Sequence, residues 1–467
     1  MKRVFLLLVA MLTGISLPAE EPQHYSEWMT SSEMKRTPHP YNLNFSSWWP
    51  QWSYQVGTEI DAMLDVYKTY NNNNVYKYLA EYPKQMINNK GEISGYSYND
   101  FNLDNVRTAH FLMRWYQMEP QEKDLTALQT LFRQLENQPR TQSGVWWHKA
   151  IYANQVWLDG IFMGLPFYTL AAPTLRPGEE QTYYNDAVDQ ISKTDGYTYD
   201  EETRLWKHAW DETHSIFWAD PKTGLSQHTW GRALGWFSMA MVEVLDALPE
   251  DYERRAEVIE IFQAVMQSVV EYQDAESGVW YDVMDVYDPR NYLEATCSSM
   301  FAYCLLKGIR MGYLDNSYMD AAIKAYKGVV KEFVVENSDG TISLTKCCEV
   351  SGLGPENKPQ RDGSFEYYMS ENVRDNDPKG IGPFIWASLE AERLGFTVQN
   401  LFDQSTTDIR AIEQSDNLQS DDLRFDNWYD LSGRKINSST AASVRSGLPA
   451  VTSGIYIHNG RKIIIRR

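Results

Sequence analysis

Three tryptophan-bearing stretches recur along the chain and constrain its fold more than any other feature of the sequence. They are GVWWHKA from Gly144, RLWKHAW from Arg204 and GVWYDV from Gly278, about 60 to 74 residues apart. Each precedes a segment with apolar residues at the three- and four-residue spacing of an amphipathic helix. One helical hairpin with its loop fits that interval, and a single hairpin cannot bury its apolar face alone. We therefore predict an all-α fold in which hairpins close into a ring, with the tryptophan loops at one end. An irregular helical array is the alternative.

The helical pattern extends from about Ser53 to Leu394, and we assign a single helical domain to residues 20–396. A polar, acidic stretch follows at 397–422 and has the composition of a linker.

The last residues, 423–467, predict a small β-structured tail. Within it, Asn459-Gly460 lies between alternating apolar residues and is the preferred pair for a tight hairpin turn. The segment resembles the C-terminal tails of exported Bacteroidota proteins, which indicates a role in sorting or attachment.

The first nineteen residues have the organisation of a secretory signal peptide. Lys2 and Arg3 precede an apolar stretch from Val4 to Leu17, too short for a comfortable membrane span, and Ala19 suits the cleavage position. No later segment has the length and apolar character of a membrane span. We therefore expect an exported protein, located in the periplasm, at the cell surface or outside the cell.

The formal net charge of −20 argues against a nucleic-acid partner, because phosphate binding needs a basic face. It does not exclude an anionic ligand, since screening acts over about 8 Å and one or two arginines decide the local field. Aromatic residues are abundant, with 16 Trp, 30 Tyr and 17 Phe. They suit either a large helical core or a sugar-stacking site.

The four cysteines are predicted to be free. Cys297 and Cys304 lie two turns apart on a predicted helix, roughly 10 Å and beyond bridging range, and a bond between the neighbours Cys347 and Cys348 would be strained. No histidine cluster accompanies them, so the sequence predicts neither a zinc site nor another metal site.

Asp104 belongs to the stretch Asn102-Leu103-Asp104-Asn105, just before the predicted helix VRTAHFLMRWYQ. An Asp in this position can cap a helix by accepting from free backbone N–H groups. A catalytic carboxylate is the second interpretation.

A second cluster, GVWWHKAIYANQVWLDGIFMGLPF, contains His148 and Asp159, eleven residues apart. On a continuous helix this separation is close to three turns and places both on one side, whereas a loop break would let them converge more closely. Asp159 has apolar neighbours, and desolvation raises the pKa of a carboxyl group above its usual ~3.9. A carboxylic acid that stays protonated can act as a general acid. The alternative is a buried Asp that holds a loop by hydrogen bonds.

A third cluster, LWKHAWDETHSIFWADPKTGLSQHTWGRALGWF, contains His208, Asp211, Trp230, Arg232 and Trp236. Arg232 and Trp236 are four residues apart on a predicted helix and share a face. An Arg fork beside an indole suits a carboxylate on a sugar ring. A cation–π pair that only stabilises the fold is the alternative.

Taken together, the motifs resemble the unsaturated rhamnogalacturonyl hydrolases of glycoside hydrolase family 105 over most of residues 53–394. The motifs that carry the resemblance are NLDN, WLDGIFMG, HAWDE, ADPKTGLSQHTWGRALGW, YLEATCSSMFAYCLLKGIRMGYLD and DNDPKGIGPFIWASLEAE. The resemblance implies an (α/α)6 barrel. It also implies that Asp159 is the general acid/base and that Asp104 assists in the same pocket. The substrate-binding residues that it implies are His148, His208, Arg232, Trp236, Trp230 and Asp211.

The implied substrate is an oligosaccharide from pectin whose terminal galacturonic acid carries a C4=C5 double bond left by a lyase. An acid protonates C4, water adds at C5, and the resulting hemiketal opens and releases the rest of the chain. One carboxyl group can serve both steps, so the two carboxyl groups of ordinary glycosidases are not required. The resemblance implies no cofactor.

Three alternatives remain open. The terminal residue can be an unsaturated glucuronyl group of a glycosaminoglycan, ulvan or another glycan. A conventional inverting glycosidase would use Asp104 and Asp159 as base and acid on a saturated glycoside. A catalytically silent glycan-binding protein would keep the aromatic platforms without turnover.

Overall fold

The structure is a computed structural model that describes residues 22–43 and 50–403, and the backbone of three short strands near the C-terminus. The predicted signal peptide lies outside the described residues. The helices are α1 (Tyr25–Arg36), α2 (Tyr54–Tyr70), α3 (Asn73–Met86), α4 (Thr108–Met118), α5 (Glu122–Glu136), α6 (Leu158–Leu175), α7 (Glu180–Thr198), α8 (Gly231–Ala247), α9 (Arg255–Glu271), α10 (Ala295–Met311), α11 (Met319–Phe333), α12 (Phe365–Ser370) and α13 (Pro378–Arg393). The strands are β1 (Gln155–Trp157), β2 (Tyr199–Asp200), β3 (Leu205–Trp206), β4 (Ala209–Asp211), β5 (Val334–Glu336), β6 (Ile342–Leu344), β7 (Cys347–Cys348), β8 (Val373–Arg374), β9 (Trp428–Tyr429), β10 (Gly454–His458) and β11 (Arg461–Ile465).

Six helices form a closed inner ring in the order α2, α4, α6, α8, α10 and α13. Each packs against the next, and α13 packs against α2. The outer helices α3, α5, α7, α9 and α11 each pack on the inner helix that precedes them, and α1 packs on α13. This arrangement confirms the predicted (α/α)6 barrel.

The inner helices approach closely because small residues lie at their contacts. A β-carbon on Gly57 of α2 would lie 2.4 Å from the Thr108 hydroxyl of α4, and one on Gly235 of α8 would lie 2.5 Å from the Met300 sulfur of α10. Substitution of Gly57 would push α2 and α4 apart, because the backbone Cα of Thr108 would also lie 2.7 Å away, whereas substitution of Gly235 would displace the Met300 side chain.

The helix α1 supplies the sixth outer position, although the helical pattern in the sequence begins only near Ser53. Its buried residues are mostly polar, including Ser26, Thr30, Ser32 and Glu33. A helix that buries hydroxyl and carboxyl groups leaves no apolar stripe for periodicity to detect.

Short antiparallel strand pairs lie in the connecting loops. The pairing of β1 with β4 aligns Gln155 with Asp211 and Trp157 with Ala209, joining the loop before α6 to the loop before α8. At the C-terminus β10 pairs with β11 and also with β9, in the order β11-β10-β9. The register aligns His458 with Arg461, on either side of the predicted turn residues, which themselves lie outside the described residues.

All four cysteines are buried and free, as predicted. Over the described part of the chain, no helix combines the length and the apolar character needed to cross a bilayer.

Candidate active site

The predicted site residues gather at the end of the barrel where the inner helices begin. Asp104 lies in a 3-10 turn, Leu103–Asn105, just before α4. Asp159 occupies the first turn of α6, and Arg232 the first turn of α8. Several helix N-termini converge here, and their partial positive charges favour an anionic ligand.

Asp159 and His208 meet through the β1–β4 pair. The backbone N–H of Leu158 donates to the carbonyl of His208 at 3.2 Å, and His208 Nε2 lies 3.4 Å from Asp159 Oδ2. Neither of these two atoms makes a hydrogen bond to any described residue. On the other side of the imidazole, His208 Nδ1 lies 2.9 Å from the hydroxyl of Tyr368. The carboxyl group of Asp159 is thus oriented beside a fixed imidazole, with its Oδ2 next to His208 Nε2 and without a hydrogen bond to a described residue.

Asp104 has the opposite environment, because its carboxylate is fully engaged. It pairs with His148 Nε2 at 3.2 Å and with Lys149 Nζ at 2.5 Å. Burial alone would raise the pKa of Asp104, but Lys149 and His148 outweigh it and hold the pKa well below the usual range. Asp104 caps no helix through its side chain: Asn102 accepts the backbone N–H of this turn, and α4 begins without a side-chain cap. It is therefore an ionised carboxylate under the conditions in which enzymes work.

A loop, not a continuous helix, separates His148 from Asp159. The imidazole of His148 stacks on Trp157 with ring centroids 5.0 Å apart and planes 5° apart, and Tyr152 stacks on the other part of the same indole at 4.6 Å. Gly160 makes room for this stack, since a β-carbon there would lie 3.0 Å from His148 Nδ1. The aromatic stack fixes the imidazole that contacts Asp104.

Arg232 is buried in the first turn of α8, at the same end of the barrel. Its guanidinium lies 4.5 Å from the ring centre of Trp230 and donates to the carbonyl of Cys348 at 2.5 Å. Its Nε has no hydrogen-bond partner among the described residues. Trp230 also contacts His208, because the centroids of the two rings lie 5.0 Å apart. Trp230 therefore joins Arg232 to His208, although it is itself only 1% exposed.

Two of the predicted substrate-binding residues, Trp236 and Asp211, have contacts that stabilise the fold. Trp236 is buried one turn deeper in α8 and stacks on Phe162 of α6 at 4.5 Å, within the barrel core. Asp211 is buried and accepts hydrogen bonds from the Thr213 hydroxyl and from the backbone N–H groups of Ser215 and Ile216, which fixes the loop after β4. Their contact with a sugar stays a prediction.

Three further residues belong to the site and were not singled out in the sequence. Lys149 pairs with Asp104, and Tyr368 contacts His208. Tyr54, the first residue of α2, interacts electrostatically with the charged groups of the site. Burial raises the pKa of its phenol, the charges of Asp104 and Asp159 raise it further, and the charge of Arg232 lowers it. Lys149 directly follows His148 in the sequence, and this position next to a predicted site residue is a signal that could have identified it. The other two carry no sequence signal, because they reach the site from distant helices.

Within the described residues, no group of three or more His, Cys, Asp or Glu side chains is arranged to hold a metal ion.

The model of glycosyl hydrolase family 88 matches residues 25–395 of the chain. Among solved structures, a family 105 glycoside hydrolase of C. acetobutylicum ATCC 824 is 38% identical. The match has a TM-score of 0.75 and covers 79% of this chain and 99% of the other.

Curated relatives include Protein Atu3128 of Agrobacterium fabrum, 34% identical over 234 residues, which is 49% of this chain and 98% of that protein. The unsaturated 3S-rhamnoglycuronyl hydrolase of Formosa agariphila is 24% identical over 260 residues, which is 54% of this chain and 58% of that protein.

Proposed function

This chain belongs to the glycoside hydrolases of families 88 and 105, and from that premise we propose that it removes a terminal 4,5-unsaturated galacturonic acid from lyase-generated rhamnogalacturonan fragments. The coarser statement, an unsaturated uronyl hydrolase, follows from the family. The choice of galacturonyl over glucuronyl termini rests on the resemblance of the motifs to the rhamnogalacturonyl enzymes.

The observation that carries the proposal is the contrast between the two carboxyl groups. Asp159 lies beside His208 with one oxygen free of hydrogen bonds to described residues, whereas Asp104 is bound by Lys149 and His148. An inverting glycosidase needs a second carboxylate that is free to activate water. A hydratase of an enol ether needs one acid/base and a fixed counter-charge. The surroundings of Asp104 favour the second description.

In the proposed reaction Asp159 transfers its proton to C4 of the unsaturated ring, and positive charge develops at C5 and the ring oxygen. The carboxylate of Asp159 then accepts a proton from the water that adds at C5. The product is a hemiketal, whose C5–O bond to the ring oxygen opens to give a keto group. Ring opening leaves the former ring oxygen on C1 as a hydroxyl, next to the glycosidic oxygen. This hemiacetal collapses to an aldehyde as the C1–O bond to the remaining oligosaccharide breaks, and the oligosaccharide leaves with the hydroxyl proton. Asp159 ends protonated, so one carboxyl group completes the cycle.

The site also offers positive charge for the substrate carboxylate. Arg232, Lys149 and the N-termini of the inner helices all lie at this end of the barrel. Lys149 is engaged with Asp104, whereas Arg232 keeps Nε free of described partners. Arg232 is therefore the better candidate for attracting the carboxylate on C5. Because its guanidinium is buried and its two terminal nitrogens donate to the carbonyls of Cys348 and Glu349, it acts through its charge rather than through a bidentate contact.

The test is the ultraviolet absorbance of the conjugated double bond, which hydration destroys. Purified protein is incubated with rhamnogalacturonan oligosaccharides from a lyase digest and, in parallel, with unsaturated glucuronyl oligosaccharides and a saturated galacturonide. We expect the absorbance of the first substrate to fall fastest and the saturated galacturonide to stay intact. A faster reaction on the glucuronyl substrate would overturn the galacturonyl assignment, and release of product from the saturated glycoside would favour the inverting glycosidase.

We also propose that the protein is exported, with residues 1–19 removed and residues 423–467 acting in sorting or attachment. The basis is the basic start and the short apolar stretch of the sequence. Mass spectrometry of the protein from its native cell should give a mature chain that begins after Ala19. A chain that retains Met1 would refute export by this route.

A further inference from the structure

Asp282 is a buried carboxyl group directly behind Trp230. Its Oδ1 accepts the indole N–H of Trp230 at 2.9 Å, and its backbone carbonyl accepts the N–H of Gly231, the first residue of α8, at 2.8 Å. Asp282 is completely buried, and it contacts no residue that the sequence pointed to as acid or base. Both of these hydrogen bonds fix the beginning of α8, where Arg232 follows.

Trp230 connects Asp282 to the site, because it contacts both Arg232 and His208. Its ring lies under the Arg232 guanidinium at 4.5 Å and beside the His208 ring at 5.0 Å. His208 in turn lies 3.4 Å from Asp159. A rotation of the indole would therefore move the arginine and the histidine together.

A second buried carboxyl group, Glu294, lies near Asp282 and caps α10. Its two oxygens accept backbone N–H groups of Cys297 and Cys348, at 2.7 Å and 2.9 Å. Burial and the charge of Glu294 raise the pKa of Asp282 to about 7, while Trp230 and Arg232 oppose the rise. The titratable groups that face Asp282 from the surrounding elements are Glu294, Arg232, Tyr292, Cys297, Cys348 and Tyr368.

We propose that Asp282 is a positioning residue for the hydration reaction, which holds Trp230 between Arg232 and His208. Its negative charge, when present, also weakens the attraction of Arg232 for the substrate carboxylate. This inference rests on the proposed function. Asp282 does not touch the substrate and acts only through Trp230 and Arg232.

The direction of the effect follows from charge. Below about pH 7 Asp282 is neutral, and the positive charge of Arg232 is available to an anionic sugar. Above this pH the negative charge of ionised Asp282 partly offsets the positive charge of Arg232, so KM should rise by about tenfold while kcat changes little. Conversely, binding of an anion at Arg232 favours the protonated form of Asp282.

Two substitutions separate position from charge. In Asp282→Asn the amide oxygen can still accept the Trp230 N–H, but no charge can form. We expect kcat within about threefold of wild type and a KM that no longer rises between about pH 6 and about pH 8. In Asp282→Ala the indole N–H is buried without an acceptor, and kcat/KM should fall about tenfold or more at every pH. A wild-type rise of KM in Asp282→Asn would overturn the charge effect, and wild-type constants in Asp282→Ala would overturn the positioning role.

An infrared measurement on the substrate-free protein makes the result independent of the glycan and of the alanine variant's folding. Wild type should show a protonated-carboxyl C=O band that disappears as the pH rises through about 7, and Asp282→Asn should lack it. If the band behaves so but wild type hydrates no unsaturated uronide, the proposed function has failed. If wild type is active and the band does not respond to pH, the Asp282 proposal alone is wrong.

Discussion

The two ends of the barrel treat buried polar groups in opposite ways. At the end where the inner helices begin, several buried atoms have no hydrogen-bond partner among the described residues, including His148 Nδ1, Asp159 Oδ2, His208 Nε2 and Arg232 Nε. We call this end the mouth. Toward the other end the charges are paired. Asp61 binds Arg107 at 3.0 Å, His110 at 2.6 Å and Arg114 at 2.5 Å.

This second set of residues, with Glu243, which binds Arg107 at 2.6 Å, is called the floor network. It borders a cavity of about 240 Å³ to which all six inner helices contribute. Many of the lining groups are cations near helix C-termini, where they complement the partial negative charge of the helix ends. The difference is that the floor network pairs the buried carboxylates of Asp61 and Glu243 with cations, whereas the mouth has several polar atoms without a hydrogen bond to a described residue.

The largest test of this comparison is Asp159→Asn at the mouth. Loss of the acid/base should lower kcat by about 10³-fold or more, because proton transfer to C4 is lost. The free energy of unfolding should stay within about 1 kcal/mol of wild type, since Oδ2 makes no hydrogen bond and its contact with His208 at 3.4 Å can be kept by the amide. Asp124→Asn, at a buried aspartate of the outer helix α5, is the matched control and should keep full turnover. Retained turnover in Asp159→Asn would contradict the assignment.

The next effect is expected at the floor, from Arg107→Met. The substitution keeps the contact with Phe162, over which the guanidinium lies at 4.0 Å, but leaves Asp61 and Glu243 without one of their cations. We expect a loss of about 3–5 kcal/mol in the free energy of unfolding by urea. Arg204→Met, at an exposed pair with Glu271, should cost less than about 1 kcal/mol. Equal losses in the two variants would show that the floor network does not stabilise the barrel.

Acid should weaken the floor by a smaller amount. Burial alone would raise the pKa of Asp61 and of Asp65, but Arg114 and its neighbours hold both pKa values below the usual range. A depressed pKa contributes stability that is present above the unfolded value of ~3.9 and is lost as the pH falls toward the folded value. The free energy of unfolding should therefore fall by about 2 kcal/mol between about pH 5 and about pH 3. The Asp61→Asn protein should show a shallower fall, and an identical slope would refute this source.

The smallest effect returns to the mouth, with Tyr368→Phe. The hydroxyl of Tyr368 is the described partner of His208 Nδ1, so its loss should free the imidazole to rotate and lower kcat by about tenfold or less. Tyr367→Phe is the control, because its hydroxyl instead accepts the N–H of Gly352 in a neighbouring loop. A larger loss of turnover in Tyr367→Phe would mean that loop order, not the histidine, limits the reaction.

Much of the fold could be predicted from the sequence because its signals are local. Apolar periodicity marks the inner helices, and Ser53, Glu294 and Asp377 cap α2, α10 and α13 by accepting backbone N–H groups of the first turn. Helix α1 escaped prediction because the residues it buries are largely hydroxyl and carboxyl groups.

The candidate site was predictable only in part. Asp159 and His208 lie in recognisable motifs, yet the hydrogen bond from Tyr368 to His208 spans 160 positions of sequence, and no local pattern encodes such a contact. The state of Asp104 depends on Lys149, whose role appears only when the ion pair is seen. Trp236 shares a helix with Arg232, but its depth in the core is set by Phe162 of another helix.

The closure of the outer ring by α1 has a consequence for how the chain can fold. Ser26 donates to Glu392 from its backbone N–H at 2.9 Å and from its hydroxyl at 2.6 Å, across 366 positions, and Val398 donates to the carbonyl of Gln23 at 3.0 Å. Helix α1 therefore cannot complete these contacts until α13 and the residues just after it have been synthesised, and this seam between α1 and α13 raises the contact order of the barrel. The same seam brings the N-terminal and C-terminal residues of the barrel close together. A circular permutant that joins them and is opened in an outer loop would therefore retain every contact between the inner helices.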